Sequence, residues 1–99
     1  MANDNLKSTQ DKILGIYSKL QKDESIQLSH MAICMALIGE FLKNQGRSRF
    51  RITRKMIMKN LQVKSLSTYH RCMKDLVRKN IITYSPSYHP KLRSVVHFV

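Results

Sequence analysis

Apolar residues recur along this chain with two different periods, and the change from one to the other falls near residue 80. From Leu6 to Gln21, Ile13, Ile16, Tyr17 and Leu20 follow helical spacing with charges on the opposite side. A helix is expected there, with Gly15 weakening it by about 1 kcal/mol relative to Ala. The residues before it, "MANDN", are polar enough to be loose. "KDES" breaks the pattern, and Ser25 or Ser29 is expected to cap a second helix. That helix runs to about Asn44 with two apolar stripes, Leu28, Met31, Met35, Ile38 and Leu42 on one, Ile33, Leu37 and Phe41 on the other. So wide an apolar surface needs cover on most sides. It suits a central core helix, or one that lends a stripe to a dimer interface.

"NQGRS" ends that helix, and Gly46 suits a left-handed cap. In "RFRI", at 49–52, Phe50 and Ile52 alternate with basic residues as in a brief strand. Thr53 is the expected N-cap of "RKMIMKN", a two-turn helix pointing Met56, Ile57 and Leu61 inward. "NLQVK" reads as a turn, with Asn60 near the left-handed region and Leu61 and Val63 as anchors. Another helix is expected from Ser65 or Ser67 to about Lys79, stopped by Asn80. Past Asn80 the period becomes two. "IITYS" and "SVVHFV" read as antiparallel strands, with Ile82 and Tyr84 sharing a face with Val96 and Phe98. Between them "PSYHPKLR" holds two prolines and should be a loop.

Helix, helix, short strand, helix, helix, strand, long basic loop and strand is the order of a winged helix-turn-helix. The expected fold is mainly α with a small antiparallel β-hairpin. A single domain is expected over 1–99, because a chain of 99 residues buries one modest core. Within it, 26–99 would form the winged-helix core and 1–25 an extra N-terminal helix.

The helix at 65–79 carries two stripes in antiphase. Tyr69, Cys72, Met73 and Leu76 seat it on the core, while Ser67, His70, Arg71, Lys74 and Arg78 lie on the other side. A solvated polar face normally mixes both charge signs. Here 18 Lys and Arg stand against 6 Asp and Glu, and the excess is uneven. Residues 1–42 hold four lysines and five acids, a balance of −1, whereas residues 43–99 hold fourteen Lys and Arg against Asp75 alone, a balance of +13. A polyanion is the natural partner.

That layout suits a recognition helix, which needs donors for base edges near its start and cations for phosphates further along. Ser67, Thr68, His70 and Arg71 are the base-reading candidates, and Arg71 has the fork for a bidentate contact to guanine. Ser65 belongs to the same set, although whichever of Ser65 and Ser67 caps the helix drops out of readout. Lys64, Lys74 and Arg78 suit phosphates. In the preceding helix Thr53, Arg54 and Lys55, with Arg51 and its neighbours Arg47 and Arg49 leading in, would clamp the backbone. The loop would be the wing. Lys91 and Arg93 would follow phosphates or enter a minor groove, and Tyr88 and His89 would pack on sugar unless Tyr88 folds back to close the loop.

"TRKMIM", "KSLSTYHRCMKDL" and "ITYSPSYHPK" followed by "SVVHF" resemble small winged-helix DNA-binding regulators of bacterial mobile elements. The resemblance covers about residues 50 to 98, leaves 1 to 25 outside, and is most specific in "TYHRC" and "PSYHP". It implies a winged helix, with DNA contacts from Thr68, His70 and Arg71 in the helix and from Tyr88, His89 and Lys91 in the loop.

Other chemistry finds little support. Paired carboxylates are missing from the basic half, no glycine-rich phosphate loop exists among three glycines, and Cys34 and Cys72 lie on apolar stripes as reduced core residues. His30 and Cys34, one turn apart, have no further ligands at matching spacing. An enzyme, a bound metal or a cofactor is therefore not expected. Neither a secretory signal nor a membrane span is evident, so a cytoplasmic protein without a membrane partner is expected. The leading expectation is a sequence-specific double-stranded DNA-binding protein, a transcription regulator acting as a homodimer. Its rivals are a DNA-bending excision or recombination accessory factor and a winged-helix module for protein contacts.

Overall fold

The computed structural model describes residues 2–59, 61, 64–87 and 93–99, with the backbone alone for 2–6. It is mainly helical with a small three-stranded antiparallel sheet. In chain order the elements are α1 (Ala2–Lys22), α2 (Leu28–Lys43), β1 (Arg49–Ile52), α3 (Arg54–Met58), α4 (Leu66–Arg78), β2 (Ile82–Ser85) and β3 (Ser94–Phe98).

Helix α1 begins at Ala2, so the expected loose start is helical instead. One face of α1 buries Ile16 and Leu20 in the common core. Its lysines fasten it from outside: Lys12 Nζ donates to the Phe98 carbonyl at 3.2 Å and Lys19 Nζ to that of Asn80 at 2.8 Å. Gly46, at φ +70, completes the turn after α2, and a Cβ there would run into the Thr9 side chain of α1.

The cap of α2 is Gln27, neither Ser25 nor Ser29. Ser25 is spent on a turn, where its N–H donates to Asp23 Oδ1 at 2.9 Å. Ser29 faces α4, its hydroxyl 3.4 Å from Cys72 Sγ. Only one of the two stripes on α2 is fully covered; on the other, Ile38 alone is partly buried against the core. Ile33, Leu37 and Phe41 are buried together with Cys34, while Leu28 is 88 % exposed and Met35 64 %. The helix is thus a core helix whose second stripe is largely exposed, at Leu28, Met31, Met35 and Leu42.

Strand β3 lies in the middle of the sheet, between β1 and β2. The expected hairpin is present, with Ile82 opposite Phe98 and Tyr84 opposite Val96. Strand β1 adds a third member, pairing Phe50 with Val96 and Ile52 with Ser94. This pairing puts Phe50 and Ile52 on the buried face with Ile82, Val96 and Phe98. Phe41 of α2 closes over that face, its ring centroid 6.0 Å from Phe50 and 5.5 Å from Phe98.

Candidate nucleic-acid interface

Local chemistry sets where α4 starts and stops. Ser65 has extended backbone and its Oγ accepts the Thr68 N–H at 3.3 Å, which makes it the N-cap. Its hydroxyl also lies 2.9 Å from that of Ser67. Ser65 is therefore engaged in capping, and Ser67 is the serine left to an outside partner. At the far end Asn80 takes φ +60, and the Ile81 N–H donates to the Leu76 carbonyl at 3.0 Å, turning the chain into β2.

Tyr69, Cys72, Met73 and Leu76 are all buried, as their spacing requires. The opposite face is open: Ser67, His70, Arg71, Lys74 and Arg78 are exposed, Thr68 is half-buried, and Lys64 is exposed just before the cap. Helix α3 is a single short turn. Thr53 caps it by accepting the Met56 N–H at 3.1 Å, so its hydroxyl serves the fold, while Arg54 and Lys55 stand exposed beside it. Arg47, Arg49 and Arg51 are exposed as well. Tyr88, His89 and Lys91 lie outside the described residues, as do Asn60 and Val63 of the expected turn. Arg93, at the foot of β3, is exposed.

Among the described residues, Asp75 is the carboxylate on α4 and it does not face outward freely. His30 Nε2 donates to Asp75 Oδ2 at 2.9 Å, and Arg78 donates to Asp75 Oδ1 at 2.6 Å. The Gln27 N–H in turn donates to His30 Nδ1 at 2.9 Å. The buried imidazole thus carries its proton on Nε2 and links the start of α2 to the middle of α4. Because both ring nitrogens are bonded, the His30 and Cys34 pair has no imidazole lone pair left for a metal. Lys79 adds a second tether, donating to Asp23 Oδ2 at 2.8 Å and to the Ser25 hydroxyl. Arg71 touches Gln27 Oε1 at 3.4 Å, a long contact that leaves its guanidinium available.

Nothing in the residue spacing points to the inward role of Asp75. The available signal is its being the one acid among fifteen charged residues after position 42. The hydrogen bond from His30, helped by Arg78, holds the Asp75 carboxyl below its ordinary value of 3.8. A lowered carboxylate pKa supplies stability above that ordinary value and loses it as the pH falls through the lowered one. Asp75→Asn is expected to be less stable than the parent at pH 7 and to lose less stability on going below about pH 4. Urea unfolding at pH 7 and at pH 3 checks both.

Cys34 and Cys72 are free and buried. Burial, with the Cys72 thiol beside it, pushes the Cys34 thiol up to about 12, which makes it a poor nucleophile at neutral pH. Among the described residues no three His, Cys, Asp or Glu gather to hold a metal ion, and no helix is long and apolar enough to cross a membrane.

No protein-family model matches the chain, and neither a curated protein nor a solved structure does.

Proposed function

We propose that this chain belongs, in class, to winged-helix proteins that bind double-stranded DNA. More particularly, it acts as a sequence-specific regulator of transcription, with α4 in the major groove and the loop at 86–93 as the wing. One observation carries this reading: the charged and polar residues exposed on α4, Ser67, His70, Arg71, Lys74 and Arg78, are donors and cations, while its carboxylate is bonded to His30 and Arg78. A cationic helix face flanked by the exposed Arg54 and Lys55 complements the phosphates on either side of a groove. The resemblance to regulators of bacterial mobile elements supports the same reading. Two copies would meet through the uncharged outer stripe of α2, where Leu28, Met31, Met35 and Leu42 are exposed.

Two substitutions separate base reading from phosphate holding. Arg71→Ala is expected to cost about 1–3 kcal/mol on the preferred duplex and to relax the preference at one base pair. Lys74→Ala is expected to weaken every duplex alike and to reduce the salt dependence by about one ion. Fluorescence anisotropy with single-base variants of one duplex measures both, and equal unselective losses would mean that α4 does not read bases.

A further inference from the structure

The three strands bury alternate residues, so the residues between them come out together on the other surface of the sheet. Phe50, Ile52, Ile82, Val96 and Phe98 face the core, where Ile57 of α3 and Tyr69 and Leu76 of α4 join them. The outer surface therefore looks away from those helices. Strand register lays two rows across it, Arg49, His97 and Thr83 in one, Arg51, Val95 and Ser85 in the other. Arg49, Arg51, Thr83 and Ser85 are exposed, and Val95 and His97 are half-buried.

Positive charge on this surface is not neutralised from within. Arg49 and Arg51 point the same way from β1, about 7 Å apart along the strand. Neither makes an ion pair among the described residues, and the three strands contain no Asp or Glu. At the end of β3 stands Lys12 of α1, its Nζ donating to the Phe98 carbonyl at 3.2 Å. Asp11 of α1 lies with Lys12 and Val99 around a neighbouring hollow. Desolvation, with Lys12 and Arg49 acting beside it, holds His97 below the usual imidazole value of 6.5.

The residue types decide between partners. A protein partner needs apolar anchors, because interface energy concentrates in buried aromatic and aliphatic side chains. Here Val95 is the one large apolar residue on the two rows, and it is already half-buried. Single-stranded nucleic acid needs rings on which its bases stack. The two rows hold no Phe, Tyr or Trp. What they do hold is forked cations beside hydroxyls, a set that grips phosphate oxygens without reading bases.

We propose that the outer face of the sheet is a second nucleic-acid surface, which holds the phosphate backbone of another duplex segment irrespective of its sequence. Arg49 and Arg51 grip phosphates there, and the Thr83 and Ser85 hydroxyls donate beside them. This gives the two arginines a different backbone from the one at Arg54 and Lys55. One protein thereby bridges two duplex segments, one on α4 and one on the sheet. Bridging rests on the function proposed above, whereas binding at the sheet does not.

The test follows amide chemical shifts while a short duplex is added to excess at low salt, where backbone contacts are strongest. It compares the parent with Arg49→Thr/Arg51→Thr, in which threonine keeps the strand preference, and with Arg71→Ala/Lys74→Ala. In the parent the α4 amides are expected to saturate in a first step, and those of Arg49, Arg51, Thr83 and His97 in a later one. Arg49→Thr/Arg51→Thr should weaken the later step about tenfold or more and leave the first as it was. Arg71→Ala/Lys74→Ala should do the reverse. The His97 ring gives a reading on the parent alone, since its pKa is expected to rise once a phosphate backbone lies beside it. Saturable shifts on the sheet without any on α4 would defeat the regulatory reading and leave this surface standing. Sheet amides that stay still, that move together with those of α4, or that move equally in Arg49→Thr/Arg51→Thr would overturn the proposal. So would an unmoved His97 titration, or a polyglutamate peptide that binds the sheet more tightly than the duplex does, which would identify an acidic protein as the partner.

Discussion

Raising the salt concentration from 50 to 200 mM is expected to weaken duplex binding about 500-fold, a log-log slope near −4.5. That slope rests on the cations that face outward without a carboxylate partner around α3 and α4. Arg54, Lys55, Lys64, Lys74 and Arg93 are exposed and make no ion pair among the described residues. Arg78 is discounted because Asp75 holds it at 2.6 Å, and Lys79 because Asp23 holds it at 2.8 Å. Each phosphate neutralised releases about 0.9 of a counterion from B-form DNA, so about five contacts give that slope. Anisotropy titrations at four salt concentrations measure it. A slope near −1 would mean that the basic surface does not lie along a phosphate backbone.

Phe98→Ala is expected to destabilise the protein by about 3–5 kcal/mol, a large part of the roughly 5–15 kcal/mol that holds a small domain together. Phe98 is wholly buried in the central strand, its ring centroid 5.5 Å from Phe41 and 5.6 Å from Phe50. Its removal empties the junction of α2, β1 and β3, where the neighbouring rings are themselves held by the core. The Phe98 carbonyl also receives Lys12 Nζ, so loosening this end of β3 releases α1 as well. Urea unfolding followed by circular dichroism checks the prediction, and a loss below about 1 kcal/mol would show that the ring is poorly packed.

How far the sequence is readable varies with the range of the interaction. The buried stripe of α4 and the shared face of Ile82, Tyr84, Val96 and Phe98 follow from periodicity, since each element must bury one side. Thr53, Gly46 and Asn80 act where their local chemistry says, as a cap and as residues with positive φ. What stays hidden is set by partners far along the chain. The Phe50 to Val96 pairing spans nearly half of the protein, and nothing inside "RFRI" names its partner. The Gln27 cap depends on His30, whose other nitrogen is fixed by Asp75 of α4. Tyr69 reads as one more apolar contact, and its hydroxyl meets Tyr84 only once α4 lies against β2. The outer stripe of α2 has the same periodic signal as the inner one, because hydrophobicity marks a surface for burial without stating what buries it.

Whether the outward side chains of α4 read the edges of base pairs is tested most directly by selecting bound fragments from a random duplex pool, with the parent protein and with Arg71→Ala. The parent is expected to recover one short motif containing a guanine, and the variant the same motif with that single position degenerate. Recovery of unenriched DNA by the parent, or of an unaltered motif by the variant, would contradict base reading by this helix.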